Sequence, residues 1–254
     1  MSLFFHISQK INIQNYMPWL ERTELLLGTE KLERLKKAEV LVAGLGGVGA
    51  YAAEMICRAG VGKMTIADAD VVEATNRNRQ LPALISTNGK LKTEVLRSRF
   101  YDINPELRLT VVNDYLRDNK TVELLESRKY DYVVDAIDTL SPKVYLISHC
   151  IRLGLNVVSS LGAGGKLDPS QIRVADISET YNCKLGRMMR RYLGKLGIEQ
   201  GVKVVFSPET VPESAMRIEE GLNKKSVVGT ISYMPPAFGC FIASVVINDL
   251  LKDN

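Results

Sequence analysis

The sequence predicts an α/β protein with a Rossmann-like, mostly parallel sheet and helices on both of its faces. Short apolar runs alternate with helical segments from residue 40 to residue 160, and this alternation requires parallel strands joined by crossover helices. The apolar run at residues 40–43 also leads directly into glycines spaced G-x-G-G-x-G. A strand, a glycine turn and a helix in that order are typical of folds that bind nucleotides.

Apolar runs rich in β-branched residues predict the strands of the sheet. The first five lie at residues 41–43, 64–67, 109–112, 132–136 and 156–159. The pattern changes after the glycines at 162–165, and two further strands are predicted at 172–177 and 202–206, with a helix between them. Residues 207–228 are polar and predict a long mobile loop, of the kind that forms lids or binding segments.

The length and composition of the chain favour a single globular domain. A chain of 254 residues can bury one large core, and its 46% hydrophobic and 24% charged residues are ordinary values. We predict one domain over residues 1–254, with a helical arm at about 15–37, a nucleotide-binding half at about 38–160 and a substrate-binding half at about 161–254. The net charge of +4 suggests a polyanionic partner.

Both ends of the chain predict helices. Residues 19–28 and 29–35 precede the first strand, and Thr29 is a candidate N-cap of the second of these helices. Residues 237–251 are strongly apolar, but they are fewer than the ~20 that a membrane span needs. A core helix is therefore favoured over a membrane anchor. The N-terminus lacks the apolar core of a signal peptide, and we expect a cytoplasmic protein.

The glycine loop carries the first functional prediction. Backbone N–H groups and a helix dipole face an anion at such a turn, and the glycines at Gly44, Gly46, Gly47 and Gly49 let the backbone approach the ligand closely. The next strand ends at Asp68, near the offset of ~20 residues at which a carboxylate bonds a ribose hydroxyl. The sequence therefore predicts a nucleotide site here, with a tight turn that binds nothing as the alternative.

The segment after the second strand distinguishes between kinds of nucleotide chemistry. In a dehydrogenase this strand usually runs on into a helix, whereas residues 68–80 form a polar loop with Arg77 and Arg79. Such a loop is suited to holding phosphates. Further along, Lys92 opens a predicted helix and Asp138 ends a predicted buried strand.

These motifs resemble the ThiF/MoeB/E1 superfamily, whose members activate carboxylates by adenylation. The shared pattern consists of the glycine loop, D-x-D at 68–70, N-x-x-R-Q at 76–80, the lysine at a helix start and the strand-end aspartate. The resemblance covers most of the chain. It implies a ThiF/E1-type adenylation domain with an extended C-terminal half, working as a homodimer with ATP and Mg²⁺.

The resemblance also implies the site residues. Asp138 would hold the metal at the carboxyl end of a strand, where α/β sheets bind ligands. Lys92 would contact the ATP phosphates, Arg79 would reach across the dimer interface to the ATP of the partner subunit, and Asp68 would bond the ribose. Lys92, Arg79 and Asp138 are thus the implied catalytic residues. The nucleotide-binding set further includes the four glycines, Asp70, Asn76 at the phosphates, and Gln80.

Several of these assignments have alternatives. Lys92 could be a solvated helix residue, and Asp138 could be the N-cap of a helix that follows Pro142. Arg77 could take the part of Arg79, although the glutamine after Arg79 makes Arg79 the better match. Arg22 in the N-terminal arm is a candidate contact to the nucleotide of the partner subunit, or a solvated arginine.

A basic amphipathic helix is predicted at residues 184–196. Its charged face carries Lys184, Arg187, Arg191 and Lys195. Its neighbouring apolar stripe, which we expect to dock on the domain, consists of Leu185, Met189, Tyr192 and Leu196. With Arg190 the segment has five positive charges and no acid, which suits an RNA backbone. A solvated cationic face without a partner is the alternative.

Three features together resemble the tRNA threonylcarbamoyladenosine dehydratase branch of the superfamily. They are the lack of zinc-binding cysteine pairs, the basic helix, and the sequence R-T-E-L-L-L-G at 22–28. This resemblance implies that ATP activates the threonyl carboxylate of N6-threonylcarbamoyladenosine in tRNA, followed by ring closure with loss of AMP. An internal nitrogen of the substrate can attack the acyl-adenylate, so no protein nucleophile is needed. The implied partners are tRNA and a second copy of the chain, with a sulfur-relay protein as a further candidate.

The four cysteines leave one question open. They are scattered without any C-x-x-C pair, which argues against a structural zinc site and a disulfide framework. In ubiquitin-activating relatives a cysteine past the sheet forms a thioester, and Cys183 lies in roughly the corresponding half of the chain. Lys184 and Arg187 are cationic neighbours suitable for a reactive thiol. The alternative is that Cys183 is a small apolar residue of the core.

Three other functions remain open at this point. One is E1-like adenylation of the C-terminal glycine of a sulfur-carrier protein. Another is RNA binding without turnover, with a regulatory nucleotide site. The third is a dehydrogenase, against which the arginine-bearing loop argues.

Overall fold

The computed structural model describes residues 18–217 and 227–252. Its centre is one seven-stranded sheet, which confirms the predicted fold class. The strands are β1 (Glu39–Ala43), β2 (Lys63–Ala67), β3 (Arg108–Val112), β4 (Tyr132–Asp135), β5 (Val157–Ser160), β6 (Arg173–Asp176) and β7 (Lys203–Phe206). They lie in the order β3-β2-β1-β4-β5-β7-β6, and β6 pairs antiparallel with β7 while the other pairs are parallel.

Strand β1 lies at the centre of the sheet because its side chains are apolar on both faces. Val40 pairs with Met64 of β2 on one side and with Tyr132 of β4 on the other, and all three are buried. The order of the strands reverses between β1 and β4. In open α/β sheets, ligands bind at the carboxyl ends of strands at such a reversal, so the fold directs attention to the loops after β1 and β4.

Helices cover both faces of the sheet. They are α1 (Glu21–Leu27), α2 (Thr29–Lys37), α3 (Gly49–Arg58), α4 (Lys92–Ile103), α5 (Asn119–Glu126), α6 (Leu140–Arg152), α7 (Lys184–Gly194) and α8 (Met234–Leu250). One apolar core contains side chains of α2, α3, α4 and α8, and the other contains side chains of α5, α6 and α7. Each face of the sheet therefore has its own core.

The apolar C-terminal helix belongs to the core, as the sequence predicted. Gly239 of α8 lies so close to α3 that a Cβ at this position would come within 2.6 Å of the carbonyl oxygen of Val48. Phe238 and Ile242 of α8 are fully buried. Among the described residues, no helix combines the length and the apolar character needed to cross a membrane.

Two local predictions need correction. Thr29 is not an N-cap: that position is taken by Gly28, whose φ of 82° forms the turn between α1 and α2, and Thr29 Oγ1 instead donates to Glu24 Oε1 at 2.8 Å. The predicted loop at 207–228 contains a helical turn at Glu213–Ala215 and a two-stranded hairpin, β8 (Met216–Arg217) and β9 (Val227–Val228). The segment 218–226 within it and residues 15–17 of the predicted arm lie outside the described residues.

Candidate functional site

The glycines after β1 serve two different purposes. A Cβ at Gly44 would lie 2.7 Å from the carbonyl oxygen of Ala136, and a Cβ at Gly49 would lie 1.8 Å from the carbonyl oxygen of Gly44. The close packing of the backbone thus requires glycine at these two positions. Gly46 differs, because the nearest atom to a Cβ there would be Gln80 Nε2 at 3.9 Å. Gly46 borders open space at the N-terminus of α3, which is where an anion would bind.

The arginine-bearing loop lies against the glycine loop. A Cβ at Gly47 would approach Arg79 Cγ at 3.4 Å and Pro235 of α8 at 2.9 Å. Arg79 Nη1 donates to the carbonyl oxygen of Thr75 at 3.1 Å and to Asn78 Oδ1 at 2.7 Å. The structure therefore brings Arg79 to the edge of the glycine loop of its own chain and holds its guanidinium within its own loop. The expected contact of Arg79 with the ATP of the partner subunit stays a prediction.

Two amides of this loop have contrasting environments. Asn76 is buried, and its Oδ1 accepts a hydrogen bond from the backbone N–H of Glu73 at 3.1 Å, so this oxygen stabilises the loop itself. Gln80 Oε1 is buried and has no hydrogen-bond partner within the described residues. Buried polar atoms nearly always have a partner. The orphaned oxygen beside Gly46 thus points to a donor supplied by a ligand or a water molecule.

Asp68 ties the end of β2 to the glycine loop. Its Oδ2 accepts from the backbone N–H of Leu45 at 2.6 Å, and its Oδ1 accepts from the backbone N–H of Asp70 at 2.8 Å. Burial raises the pKa of Asp68, while Lys92 and the two backbone N–H groups act in the opposite direction. The bond from Asp68 to a ribose hydroxyl stays a prediction, and such a hydroxyl would share the remaining lone pairs of the carboxylate.

Lys92 is not the solvated lysine that the alternative interpretation required. Only 4% of the residue is exposed, and its Nζ donates to Asp70 Oδ2 at 2.8 Å. Asp70 Oδ1 also accepts from the hydroxyl group of Tyr115 at 3.1 Å, and Asp70 raises the pKa of that tyrosine. No motif in the sequence marks Tyr115 as part of this site. The D-x-D motif, Lys92 and the glycine loop are thereby joined in one network.

The strand predicted to end at Asp138 ends three residues earlier. Strand β4 ends at Asp135, and Asp138 is exposed in the short loop before α6. That helix begins at Leu140 with Thr139 at the N-cap position, so the interpretation of Asp138 as the N-cap of a helix after Pro142 is wrong. The loop lies beside the glycine loop, since Ala136 contacts Gly44.

The carboxylates at this edge fit one kind of metal site. Within residues 18–217 and 227–252, no three His, Cys, Asp or Glu side chains are grouped so that they could hold a metal ion. Mg²⁺ is commonly held by one or two carboxylates together with substrate phosphates. An exposed carboxylate such as Asp138, in the loop beside the glycine loop, has the donor chemistry for that arrangement.

A fully buried ion pair, which no sequence motif predicted, lies directly beneath this edge. Lys143 Nζ donates to Asp135 Oδ2 at 2.6 Å, and Ser159 Oγ donates to the same oxygen at 2.7 Å. Burial raises the pKa of Asp135, and Lys143 opposes that rise. The helical pattern held a signal for it, because Lys143 shares the core-facing side of α6 with Ile147 and Cys150.

Helix α7 presents a cationic surface, with a different buried face from the predicted one. Its buried residues are Gly186, Met189 and Leu193. Met189 and the half-buried Leu185 of the predicted docking stripe pack on the core as expected, whereas Tyr192 and Leu196 are 42% and 45% exposed. Small Gly186 allows close contact, since a Cβ there would lie 2.9 Å from Leu161. The helix is therefore rotated relative to the prediction. The exposed cations of the segment are Lys184, Arg187, Arg191 and Lys195.

Arg190 and Cys183 have structural contacts. Arg190 Nη1 donates to the carbonyl oxygen of Thr180 at 2.7 Å and also contacts the hydroxyl group of that residue. Arg190 thus points toward the protein, in contrast to the other predicted RNA-binding cations. Cys183 is buried at the N-cap position of α7, where its Sγ accepts from the backbone N–H of Gly186 at 3.4 Å. This contact supports the interpretation of Cys183 as a structural residue.

Both the sequence and the fold of the chain are similar to those of other proteins. The ThiF family matches residues 20–254. The tRNA threonylcarbamoyladenosine dehydratase of Bacillus subtilis is 39% identical, with coverage of 91% of this chain and 94% of the relative. The protein of the same name from Haemophilus influenzae is 37% identical, with coverage of 97% and 98%. The crystal structure of E. coli tRNA N6-threonylcarbamoyladenosine dehydratase, TcdA, in complex with ATP has a TM-score of 0.84 at 34% identity, with coverage of 93% and 96%.

Proposed function

The chain belongs to the ThiF family, and on this basis we propose that it is an ATP-dependent tRNA threonylcarbamoyladenosine dehydratase. It adenylates the carboxylate of N6-threonylcarbamoyladenosine in tRNA and closes the ring with loss of AMP, so that the nucleoside loses one water overall. The names of the relatives, which match nearly the whole chain, favour this reaction over adenylation of a sulfur-carrier protein.

One structural observation carries the proposal. The glycine loop, Asp68, Asp70 and Lys92 form a continuous network at the reversal of the strand order: Leu45 contacts Asp68, and Asp70 contacts Lys92. The network links the ammonium group of Lys92 to the glycine loop, in which Gly46 borders open space at the N-terminus of α3. Ammonium groups and helix N-termini are groups that bind phosphates. The orphaned Gln80 Oε1 is an acceptor without a donor, and the hydroxyl or amino groups of a bound nucleotide would supply one.

The proposed chemistry divides between these residues. Lys92 contacts the phosphates and reduces the charge that develops on the leaving pyrophosphate. Asp138 holds Mg²⁺, which when bound polarises phosphate oxygens and neutralises their charge. The carboxylate of the substrate attacks the α-phosphorus and displaces pyrophosphate, and an internal nitrogen of the substrate then displaces AMP from the activated carbonyl carbon.

A homodimer is part of the proposal. Leu25 and Leu26 of α1 are 87% and 83% exposed, and Ile85, beside the arginine-bearing loop, is 82% exposed. Ile85 also lines an open depression together with Arg77. Exposed apolar side chains of this kind are typical of protein interfaces. We propose that a second copy covers these side chains, and the dimer formed in this way would bring Arg22 and Arg79 to the ATP of the partner subunit.

Other sequence-based expectations stay predictions. They concern the division into a nucleotide-binding half and a substrate-binding half, the cytoplasmic location and a sulfur-relay protein as partner. The exposed cations of α7 are the proposed contacts with the tRNA backbone.

The direct test is a reconstituted reaction. The protein is incubated with ATP, Mg²⁺ and tRNA that carries N6-threonylcarbamoyladenosine, and pyrophosphate release is measured together with the mass of the nucleoside. Pyrophosphate release with loss of one water from the nucleoside is the expected result. Release with a sulfur-carrier protein alone would instead support the alternative, and binding of tRNA without any release would support a non-catalytic RNA-binding protein.

A further inference from the structure

An apolar groove lies between α6 and α7, outside the network described above. Its floor and walls include Leu140, Val144 and Tyr145 of α6 and, from the end of the basic segment, Tyr192 and Leu196. Its volume is about 160 Å³. Pockets for drug-sized ligands hold ~300–1,000 Å³, so this groove is suited to a single ring system.

The groove has a cationic rim. Arg191 and Lys195 are exposed beside Tyr192, and Lys195 Nζ lies 5.3 Å from the centre of the Tyr192 ring. Neither α6 nor α7, each described in full, contains an aspartate or a glutamate. An apolar cleft with an exposed tyrosine ring and cations on its edge matches the chemistry with which proteins bind single-stranded nucleic acids, where bases stack on aromatic rings.

The position of the groove relates it to the reaction site. Leu140 in the groove is two residues from Asp138, so their Cα atoms are at most about 7.6 Å apart. If the substrate carboxylate is activated beside Asp138, a nucleotide that neighbours the modified adenosine in the RNA would lie near the groove. Sequence-specific recognition of RNA mostly takes place at unpaired loops whose bases are splayed out.

We propose that this groove binds an unpaired nucleobase adjacent to the modified adenosine, which stacks on Tyr192. The inference rests on the proposed tRNA substrate and adds a subsite to it. The cationic rim and the absence of acids in both helices favour RNA over a protein segment as the occupant. Tyr192 thus contributes to the choice of RNA substrate, whereas the activation of the carboxylate does not depend on it.

The test compares variants and RNAs in one set of binding measurements. Tyr192→Ala removes the aromatic ring, and Tyr192→Phe keeps it. The control Tyr101→Ala removes an exposed tyrosine from α4, near the opposite edge of the sheet. Three RNAs are used, each an anticodon stem-loop with N6-threonylcarbamoyladenosine. One is intact, one has an abasic site on the 5′ side of the modified nucleotide, and one has an abasic site on its 3′ side. Dissociation constants are measured at one fixed salt concentration.

Tyr192→Ala should weaken binding of the intact stem-loop about tenfold, as expected for loss of one base–aromatic stack. Tyr192→Phe and Tyr101→Ala should bind as the wild type does. With one of the two abasic RNAs, wild type and Tyr192→Ala should bind equally, because the stacked base is already missing. Two results would overturn the inference. One is unchanged affinity of Tyr192→Ala for intact RNA, and the other is that Tyr192→Ala weakens binding of both abasic RNAs as much as it weakens binding of intact RNA. Either result would leave the groove as a surface for a protein.

A second measurement separates this inference from the proposed function. Wild type and Tyr192→Ala should release pyrophosphate at the same rate with ATP and the free modified nucleoside, since that substrate has no neighbouring base. If the wild type converts modified tRNA and Tyr192→Ala converts it with the same KM for tRNA, the groove does not bind a base, but the proposed function stands. If the wild type converts neither substrate, the proposed function fails.

Discussion

Lys143 and Asp135 form an ion pair at 2.6 Å in which neither side chain has any exposed surface. The carboxylate also accepts from Ser159 Oγ and from the backbone N–H of Ile137 at 3.2 Å. A single carboxylate thus joins the end of β4, strand β5, the first turn of α6 and the loop that carries Asp138. The position of the predicted metal ligand therefore depends on this buried pair.

The variant Lys143→Met should lower the free energy of unfolding by about 3–5 kcal/mol, because it leaves a carboxylate buried without its partner. The matched control is Lys120→Met. Lys120 pairs with Asp114 on the surface, and surface pairs contribute little. Urea unfolding of the two variants and the wild type gives the comparison.

The loss in Lys143→Met should also depend on pH. Burial raises the pKa of Asp135, and in the variant no ammonium group opposes that rise. The folded state then binds a proton that the unfolded state releases, so stability falls as pH rises through this range. We expect a smaller loss at about pH 5 than at about pH 8, and an equal loss at both would contradict the assigned cause.

The glycine loop allows packing and ligand binding to be separated. Gly49→Ala should lower the free energy of unfolding by about 1–3 kcal/mol or more, because its Cβ would overlap the carbonyl oxygen of Gly44. Gly46→Ala should fold normally, since its Cβ meets no atom closer than 3.9 Å. It should nevertheless raise the KM for ATP about tenfold, because that Cβ would extend into the space proposed for the phosphates. Normal ATP affinity of Gly46→Ala would remove this loop from the nucleotide site.

Sequence patterns predicted the fold because each strand is a short apolar run bounded by clear turn signals. The prediction for β1 began at residue 41 and ended correctly at Ala43, where the first glycine follows. Turn chemistry of that kind is local, so the sequence displays it directly. The helix α8 was predictable for a similar reason, since its apolar residues continue around the whole helix.

Contacts between distant segments were not predictable in the same way. Lys166 is buried, and its Nζ donates to the carbonyl oxygens of Ser207 and Glu209 at 2.9 Å and 2.6 Å. Burial lowers the pKa of this lysine. Nothing within a few residues of Lys166 distinguishes it from a solvated lysine. The rotation of α7 was missed likewise, since Gly186 faces Leu161 from another part of the chain.

Asp138→Ala should abolish pyrophosphate release while the fold stays intact. The side chain is exposed at the carboxyl edge of the sheet, and its proposed part is to hold Mg²⁺ rather than to stabilise the core. Asp102→Ala, which removes an exposed carboxylate from α4, is the matched control and should turn over normally. Release is followed across a titration of Mg²⁺, with circular dichroism to check the fold. Near-normal release by Asp138→Ala at all Mg²⁺ concentrations would exclude the metal role.

Replacement of Arg187 and Arg191 by glutamate should weaken tRNA binding and flatten its dependence on salt. Both side chains are exposed on α7, and each lost phosphate contact lowers the slope of log K against log salt concentration by about 0.7–0.9. The measurement is a set of tRNA dissociation constants at several salt concentrations.

Arg190 supplies the internal control for this experiment, because it lies on the same helix but donates to the carbonyl oxygen of Thr180. Arg190→Ala should destabilise the protein in urea, since it leaves that carbonyl group without its donor, and should keep the salt slope of the wild type. If Arg187 and Arg191 could be replaced without any change in slope, the cationic face of α7 would be a solvated surface. If Arg190→Ala flattened the slope as much as the double variant does, its guanidinium would turn toward the RNA in the complex.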